Sequence, residues 1–334
     1  MSSGSAGVRV VAVVVTYNRR ELLTEALDAL AAQTRPPDEL IVVDNASTDG
    51  TAALVRDRYP DVDLLELATN TGGAGGFAAG IAHALRTAPV DGGPVDGGPV
   101  HGGPVHGGPD ERPTLIWLMD DDTVPEPGAL AALLDARERA PGDPVLVASR
   151  VVWTDGRDHP MNTPRVKPGA SRAELAAAAE AGCVPIRSAS FVSVLIDAAA
   201  VLERGLPVAD YFLWNDDFEF TTRLLRGRTG LHCPASVVVH KTGTFGGTDA
   251  DPGDRFYYEV RNKLWLFTRS RGLAPAERVL YAGSTVRRWA RTYARSRDRA
   301  VLRRGLRAGV RDGLRRRPRP TEDVISAAMR RYDP

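Results

Sequence analysis

Short apolar runs alternate with amphipathic segments along the first 120 residues of the chain. The runs are rich in valine, isoleucine and leucine, which is typical of strands that are buried on both faces of a parallel sheet. The intervening segments repeat apolar residues every three or four positions, as helices with one buried face do. This pattern predicts strands at residues 8–16, 40–43, 62–67 and 115–119, helices at 21–33, 51–59 and 77–87, and a glycine-rich turn at 70–76.

The second half of the chain is less regular but continues the alternation. It predicts strands at residues 145–152, 190–196 and 236–239, and helices at 173–181, 198–204 and 220–226. Because strands and helices alternate, the predicted fold class is α/β, with a sheet flanked by helices.

A perfect five-residue repeat, VDGGPVDGGPVHGGPVHGGP, occupies residues 90–109. Its glycine and proline content excludes a helix or a packed strand. One interpretation makes His101 and His106 metal ligands. The alternative, which we favour, is a flexible, solvated insertion in a surface loop that projects away from the core.

The size and charge of the chain exclude several classes of protein. Its 334 residues suffice for one large α/β domain with additions or for two modest domains. The net charge of +1 and the lack of a recognised motif argue against nucleic-acid binding. Cys183 and Cys233 are far apart in sequence, so no disulfide framework is expected. Neither a signal-peptide pattern nor an apolar run of ~20 residues occurs, which predicts a cytoplasmic location. The sequence does not indicate an oligomeric state.

Polar residues stand where the predicted strands end. Thr16 and Tyr17 follow the first strand, Asp44 the second and Asn70 the third. Asp120, Asp121 and Asp122 follow the fourth. Ligands of parallel α/β sheets bind at the carboxyl ends of the strands, so these residues are expected to converge on one edge.

The three consecutive aspartates repel one another unless a cation or open water surrounds them. Alternation along an extended chain points Asp120 and Asp122 to one side and Asp121 elsewhere. Carboxylates at such a position suit Mg²⁺ or Mn²⁺ bound together with substrate phosphates. The alternative is a solvent-facing loop.

A second acidic cluster, WNDDFE, runs from Trp214 to Glu219. Aromatic neighbours desolvate a carboxylate and favour its action as a proton acceptor, although Asn215 or Asp216 also suits a helix N-cap. The lone His240 and the glycines of residues 70–76 are weaker signals, because the glycines fit neither a Walker loop nor a dinucleotide fingerprint.

The segments VVVTYNR, IVVDNASTDGT, NTGGAGGF, WLMDDD and WNDDFE, followed by His240 at a strand end, resemble a family 2 glycosyltransferase of the GT-A fold. The resemblance covers about residues 8–263. The later RFYYEVRNKLW and parts of these segments are more specifically similar to galactofuranosyltransferases of actinobacterial cell-wall synthesis, although rhamnosyltransferases that use dTDP-rhamnose share much of the pattern. The chain departs from the family pattern by its GGP repeat. It also has no long C-terminal domain like that of the polymerising galactofuranosyltransferases, so it is more similar to an initiating or single-addition enzyme.

The resemblance implies a metal-dependent, inverting transfer of a sugar, with UDP-galactofuranose as the expected donor. Asp120, Asp122 and His240 would coordinate Mn²⁺ or Mg²⁺ against the donor diphosphate. Asp216 would be the catalytic base, with Asp217 as the alternative. The remaining matches would contact the nucleotide sugar (Thr16, Tyr17, Asp44, Asn70, Gly73 and Asp121) or position the sugar or acceptor (Trp214, Asp217 and Glu219).

Arginine dominates residues 286–319, where Asp298 and Asp312 are the only acidic residues. Apolar residues recur four apart from Leu302 to Leu314, as on one face of a helix. We therefore predict a catalytic domain at 1–265 and a basic helical region at 266–334. Because the implied acceptor is a glycan or a lipid-linked saccharide, we expect peripheral contact with an anionic membrane, at its inner face. The alternative is a solvated helix that packs on the domain.

Two other functions compete with the glycosyltransferase interpretation. A non-catalytic nucleotide-binding protein of the same fold would not need the aspartate triplet, Asp216 and His240 together. A nucleotidyltransferase would be expected to carry a basic triphosphate loop near its N-terminus, and VVVTYNRRE is not one.

Overall fold

The protein is described by a computed structural model that covers residues 7–87, 112–164, 166–243, 245 and 251–329. The repeat at residues 90–109, with His101 and His106, lies outside these residues. The strands are β1 (Arg9–Thr16), β2 (Glu39–Asp44), β3 (Asp63–Glu66), β4 (Thr114–Asp120), β5 (Thr123–Pro125), β6 (Leu146–Val152), β7 (Val184–Pro185), β8 (Val194–Asp197) and β9 (Gly230–His240). The helices are α1 (Arg20–Ala31), α2 (Thr51–Arg58), α3 (Gly72–Thr87), α4 (Ala129–Arg139), α5 (Arg172–Glu180), α6 (Ala198–Arg204), α7 (Asp216–Leu224), α8 (Phe256–Thr268), α9 (Pro275–Arg295), α10 (Arg299–Arg315) and α11 (Thr321–Met329).

The nine strands of the described residues form one mixed sheet in the order β3-β2-β1-β4-β8-β6-β9-β5, with β7 paired to β9. The first four strands are parallel, β8 runs antiparallel between β4 and β6, and β6 and β9 are parallel. All eight residues of β1 are buried. Their side chains alternate between two cores: Val11, Val13 and Val15 face α3, whereas Val10, Ala12 and Val14 face the helices on the other side. The predicted α/β sheet flanked by helices is confirmed, and its strand directions are mixed.

The glycine-rich segment was predicted to be a turn, and this prediction is wrong because α3 already begins at Gly72. Glycine lowers helix propensity, but here it permits close packing. A Cβ atom at Gly76 would lie 2.5 Å from Val15 Cγ1, and one at Gly80 would lie 2.4 Å from Val13 Cγ1. Side chains at these positions would push α3 away from β1.

Two predicted strands have different lengths. The strand predicted at residues 190–196 begins only at Val194, because the preceding turn inserts Phe191 into the core between Phe77 and Phe220. The strand predicted at 236–239 begins earlier, at Gly230, and includes a bulge at residues 234–236 where the register against β6 shifts.

The two cysteines are neighbours in the fold. The antiparallel pairing of Val184 with His232 places Cys183 opposite Cys233, and both are buried free thiols. Distance along the sequence was therefore a poor guide to their proximity.

The boundary predicted at residue 265 lies inside α8. Helix α10 packs along α8 through Gly305, Gly309 and Gly313; a Cβ atom at Gly309 would lie 2.7 Å from Val260 Cβ. Helix α11 returns to the sheet, where Val324, Ile325 and Ala328 join the core beside α3. The C-terminal helices are thus packed against the domain that contains the sheet.

Of the helices in the described ranges, none has both the length and the apolar character needed to cross a bilayer.

Candidate active site

The predicted convergence of polar strand ends is observed. In the parallel pairings, Thr16 lies beside Asp44, and Val15 lies beside Asp120. Strand β5 then turns back to pair with β9, which places Thr123 opposite His240. Residues that are more than 200 positions apart in sequence therefore meet at one edge of the sheet.

Asp120, Asp122 and His240 form the centre of this edge. One potential ligand atom from each lies within 4.8 Å of the others. Oδ1 of Asp122 is buried and accepts no hydrogen bond, although His240 Nε2 lies 3.1 Å away. A carboxylate oxygen left without a donor beside an imidazole nitrogen is the arrangement expected for two ligands of a common cation. The donor set of two carboxylates and one imidazole fits Mn²⁺ or Mg²⁺.

His240 is held by a neighbour that the sequence did not indicate. Its Nδ1 lies 2.9 Å from Asn162 Oδ1, and Asn162 Nδ2 in turn donates to Ser190 Oγ at 3.1 Å. We therefore assign the proton to Nδ1, which leaves the Nε2 lone pair for a cation. Asn162 lies in an irregular loop, so no periodic pattern marked it.

Asp121 contacts the end of β1, whereas Asp120 and Asp122 lie beside His240. Asp121 and Asp122 form a turn between β4 and β5, so the strand alternation assumed for the triplet does not apply to them. Asp121 Oδ2 accepts hydrogen bonds from Thr16 Oγ1 at 2.8 Å and from the Tyr17 backbone N–H at 3.3 Å. Arg19 also reaches the triplet, with Nη1 at 3.2 Å from Asp121 Oδ1 and 2.6 Å from Asp122 Oδ2. Sequence reasoning missed Arg19 because TYNRR was considered only as a triphosphate loop.

The electrostatics of the triplet show a deficit of positive charge. Burial, together with the charge of Asp122, raises the pKa of Asp120 to about 7. Burial also raises the pKa of Asp121 to about 6, although Arg19 opposes this. For Asp122, contact with His240 and Arg19 outweighs burial, and the pKa lies below its ordinary value. A bound divalent cation would favour the charged form of all three carboxylates.

Asn45, a third residue that the sequence did not indicate, connects the loops after β2 and β3. Its Oδ1 accepts from the Thr71 backbone N–H at 2.8 Å, and its Nδ2 donates to the Gly72 carbonyl at 2.9 Å. Asp44 is buried beside it and accepts from the Ser47 backbone N–H at 3.0 Å.

Three of the residues predicted to contact the nucleotide sugar are solvent-accessible at this edge: Tyr17, Asn70 and Gly73. Asn70 Oδ1 accepts from the Gly72 backbone N–H at 2.7 Å. A Cβ atom at Gly73 would meet nothing within 4 Å, so the surface there is open to a ligand.

The loop that leads into α7 has an unusual backbone. Phe212, Trp214 and Asn215 have φ angles of 66°, 65° and 66°, which are unfavourable for residues with side chains. Asn262 of α8 stabilises this loop: its Nδ2 lies within 3.0 Å of three backbone carbonyl oxygens, those of Tyr211, Leu213 and Trp214. The role of Asn262 could not be read from its local sequence, because its partners lie about 50 residues earlier.

Asp216 is the first residue of α7 and is buried within electrostatic reach of Asp120. Burial, with the nearby charge of Asp217, raises its pKa well above the ordinary value, and the charge of Asp120 adds to the effect. Asp217 is engaged differently, since its Oδ1 accepts the Phe218 backbone N–H at 2.6 Å. Trp214 remains 38% exposed at the rim of this site.

Glu219 makes structural contacts. Its carboxylate is almost fully buried, pairs with Arg223 Nε at 2.9 Å and accepts from Ser270 Oγ at 2.7 Å. These contacts join α7 to the turn after α8, and contact of Glu219 with sugar or acceptor stays a prediction.

A protein-family model for glycosyl transferase family 2 matches residues 11–87 of the chain. Galactofuranosyltransferase GlfT1 of Mycobacterium tuberculosis is 30% identical over 280 residues, which covers 78% of this chain and 82% of that protein. GlfT1 of Mycolicibacterium smegmatis is 51% identical over 76 residues, but this match spans only 23% of the chain and 25% of that protein.

A solved structure shares the fold. The mannosyltransferase PcManGT of Pyrobaculum calidifontis, in complex with GDP-Man and Mn²⁺, superimposes with a TM-score of 0.51 at 19% identity, and the match covers 92% of the chain and 87% of that structure. At this identity the similarity establishes the GT-A architecture of the sheet and its helices.

Proposed function

Because the chain belongs to glycosyltransferase family 2, we propose that it is a metal-dependent, inverting enzyme that transfers galactofuranose from UDP-galactofuranose to a hydroxyl group of a glycan or a lipid-linked saccharide. The observation that carries this proposal is the cluster of Asp120, Asp122 and His240 at the strand edge, beside Thr16 and Asp44. The choice of galactofuranose is supported by the GlfT1 relatives. Transfer of rhamnose from dTDP-rhamnose is the alternative.

Asp120, Asp122 and His240 would hold Mn²⁺ or Mg²⁺, which supplies positive charge to the donor diphosphate as it leaves. The PcManGT complex, which contains Mn²⁺, supports a divalent ion in this fold. Thr16, Tyr17, Asp44 and Asp121 would bind the nucleoside. Asn70 and Gly73 would line the nucleotide-sugar pocket.

Asp216 is the proposed base. Its buried carboxylate has a raised pKa, which strengthens it as a proton acceptor once ionised. It takes the proton of the acceptor hydroxyl while that oxygen attacks the anomeric carbon. The bond between that carbon and the diphosphate oxygen breaks on the opposite face, so the configuration inverts. Asp217 is less suited to be the base because one of its oxygens accepts a hydrogen bond from the Phe218 N–H. Trp214 would position the acceptor and shield it from water.

The test is a screen of UDP-, dTDP- and GDP-sugars for hydrolysis or transfer, with and without Mn²⁺. UDP-galactofuranose should be turned over only with the metal. Asp122→Ala should abolish metal-dependent UDP binding, whereas Asp216→Asn should keep UDP binding and lose transfer by ~10²-fold or more. Normal turnover by Asp216→Asn, together with an inactive Asp217→Asn, would move the role of the base to Asp217.

The proposal also includes peripheral contact with an anionic membrane. The C-terminal helices would make this contact at the cytoplasmic face of the membrane. The face of α10 expected to serve this purpose packs instead against α8, since Leu302 is fully buried and Leu306 and Val310 contact the same cluster. Exposed apolar residues occur on α9, where Val279, Leu280 and Val286 are 76%, 62% and 63% exposed.

Helix α9 therefore replaces α10 as the proposed contact. Arg287 and Arg291 on α9, and Arg303, Arg304 and Arg307 on α10, are exposed and supply positive charge. An apolar strip with flanking arginines is typical of helices that lie in the membrane interface. The opposite face of α9 carries Tyr281, whose ring centroid lies 5.2 Å from that of Phe218, close to the proposed base.

Sedimentation with anionic vesicles tests this contact. Replacing Val279, Leu280 and Val286 by serine, or the five arginines by glutamine, should release the protein, and added salt should weaken binding of the unaltered protein. Leu175→Ser, which changes an exposed leucine on α5, is the matched control. Vesicle binding that is indifferent to both sets of changes and to salt would contradict the proposal.

A further inference from the structure

Arg19 lies between the end of β1 and the start of α1, at the mouth of the proposed metal site. Its Nη1 contacts Asp121 Oδ1 at 3.2 Å and Asp122 Oδ2 at 2.6 Å. The two carboxylates are only 6% and 7% exposed, whereas the arginine side chain is 49% exposed. The guanidinium group thus reaches into the site from a position that leaves it room to move.

Asp122 is contacted on both of its oxygens. Oδ1 lies beside His240 Nε2, and Oδ2 binds Arg19. A divalent cation held by Asp122 would stand a few ångströms from the positive charge of Arg19, and like charges at such a distance repel. The cation and the guanidinium therefore compete for the same negative charge.

A nucleotide diphosphate would resolve this competition. It brings new negative charge to the mouth of the site, and a guanidinium group is well suited to contact two phosphate oxygens at once. Arg19 can reach outward by rotation of its own side chain, because nearly half of that side chain is already in solvent.

We propose that Arg19 neutralises Asp121 and Asp122 while the donor is absent and turns to the donor diphosphate when nucleotide and metal bind together. The exchange makes the two ligands cooperative: the metal binds weakly until the nucleotide draws Arg19 away. This inference rests on the proposed function, and it concerns how the same site is filled.

The neighbouring arginine provides a matched control. Arg20 is 46% exposed, similar to Arg19, but it pairs with Glu21 and lies beside the backbone of Asp49 rather than the triplet. Substitution of Arg20, the first residue of α1, therefore removes the same charge from the adjacent position without touching Asp121 or Asp122.

Calorimetry with Mn²⁺ alone, with UDP alone and with both separates the possibilities. Arg19→Gln should bind Mn²⁺ alone at least tenfold more tightly than the unaltered protein. It should bind UDP in the presence of Mn²⁺ at least tenfold more weakly, so that the cooperativity between the two ligands is lost. Arg20→Gln should match the unaltered protein in all three titrations.

Arg19→Lys keeps the charge but not the planar group, and it covers the case in which Arg19→Gln fails to fold. It should bind Mn²⁺ alone as the unaltered protein does and bind UDP with Mn²⁺ more weakly. Unchanged or weaker Mn²⁺ affinity in a folded Arg19→Gln variant would overturn the inference, as would unchanged UDP binding in Arg19→Lys. If the unaltered protein binds neither Mn²⁺ nor UDP, the proposed function itself is wrong.

Discussion

Replacing Asn262 by leucine should both destabilise the protein and impair transfer. Asn262 is fully buried, and leucine has a comparable size, so the change removes polar contacts without opening a large cavity. The amide Nδ2 has two hydrogens to share among the three carbonyl oxygens around it, which is equivalent to about two full hydrogen bonds. Its Oδ1 accepts a third hydrogen bond, from Arg261 Nε at 3.0 Å.

The magnitude follows from these contacts. Three hydrogen bonds contribute about 1 kcal/mol each, and a buried carbonyl left without a donor costs about 1–3 kcal/mol more. The free energy of unfolding should therefore fall by about 4 kcal/mol or more if the loop keeps its conformation. The loop can instead relax, since each of its residues with positive φ stores roughly 1 kcal/mol or more. Relaxation would recover part of the stability but displace Asp216, and transfer would then fall by ~10²-fold or more.

Urea unfolding and sugar-transfer turnover, measured on the same preparation, distinguish these outcomes. The control is Thr268→Ala, which removes an exposed hydroxyl from the end of the same helix and should change the free energy of unfolding by less than about 0.5 kcal/mol. The three hydrogen bonds of Asn262 alone are worth roughly 3 kcal/mol. An Asn262→Leu variant that is within about 1 kcal/mol of the unaltered protein in stability and normal in turnover would therefore refute the reasoning.

Two further predictions concern packing and pH. Gly80→Ala should lower the free energy of unfolding by about 1–3 kcal/mol, because the new Cβ atom would overlap Val13. The control Gly283→Ala, on the exposed face of α9, should raise the free energy of unfolding by about 0.5–1 kcal/mol. Chemical denaturation of both variants checks this, and equal effects would contradict the packing explanation. Burial lowers the pKa of Lys263 from its ordinary value of 10.5 to about 8. Between these two pH values the unfolded chain binds more protons than the folded protein, so the stability of the protein relative to Lys263→Met should rise with pH by about 3 kcal/mol across the window. A stability difference that does not vary with pH would contradict this prediction.

The sheet and its polar edge were predictable because their signals are local. The β-branched run that forms β1 and the polar residue that ends each strand stand next to each other in the sequence. Once the strands are parallel, their carboxyl ends must meet. Strand alternation does not explain the aspartate triplet, because Asp121 and Asp122 form the turn between β4 and β5. Asp120 and Asp122 meet instead beside His240.

The supporting residues could not be predicted because their partners are distant in sequence. Asn162 contacts His240, and Asn262 contacts the loop before α7. Asn162 lies in no segment that the sequence analysis singled out, and Asn262 lies within RFYYEVRNKLW, whose pattern does not reveal which backbone the asparagine contacts. The start of α3 was predicted wrongly for a related reason. Helix propensity, which is low for glycine, describes a residue within its own helix and takes no account of the strand against which the helix must pack closely.

The return of α11 to the sheet has a consequence for the synthesis of the protein. The backbone N–H of Ala68 donates to the carbonyl of Ala328, so a partner of the segment before α3 is translated about 260 residues later. At the usual rates of translation, that interval is on the order of 10 to 50 seconds. During this time α11 does not yet exist, so the apolar surface beside α3 is not covered by it. In the folded protein, Val324, Ile325 and Ala328 cover that surface. We expect a nascent chain at this stage to be a good substrate for chaperones that bind exposed apolar segments.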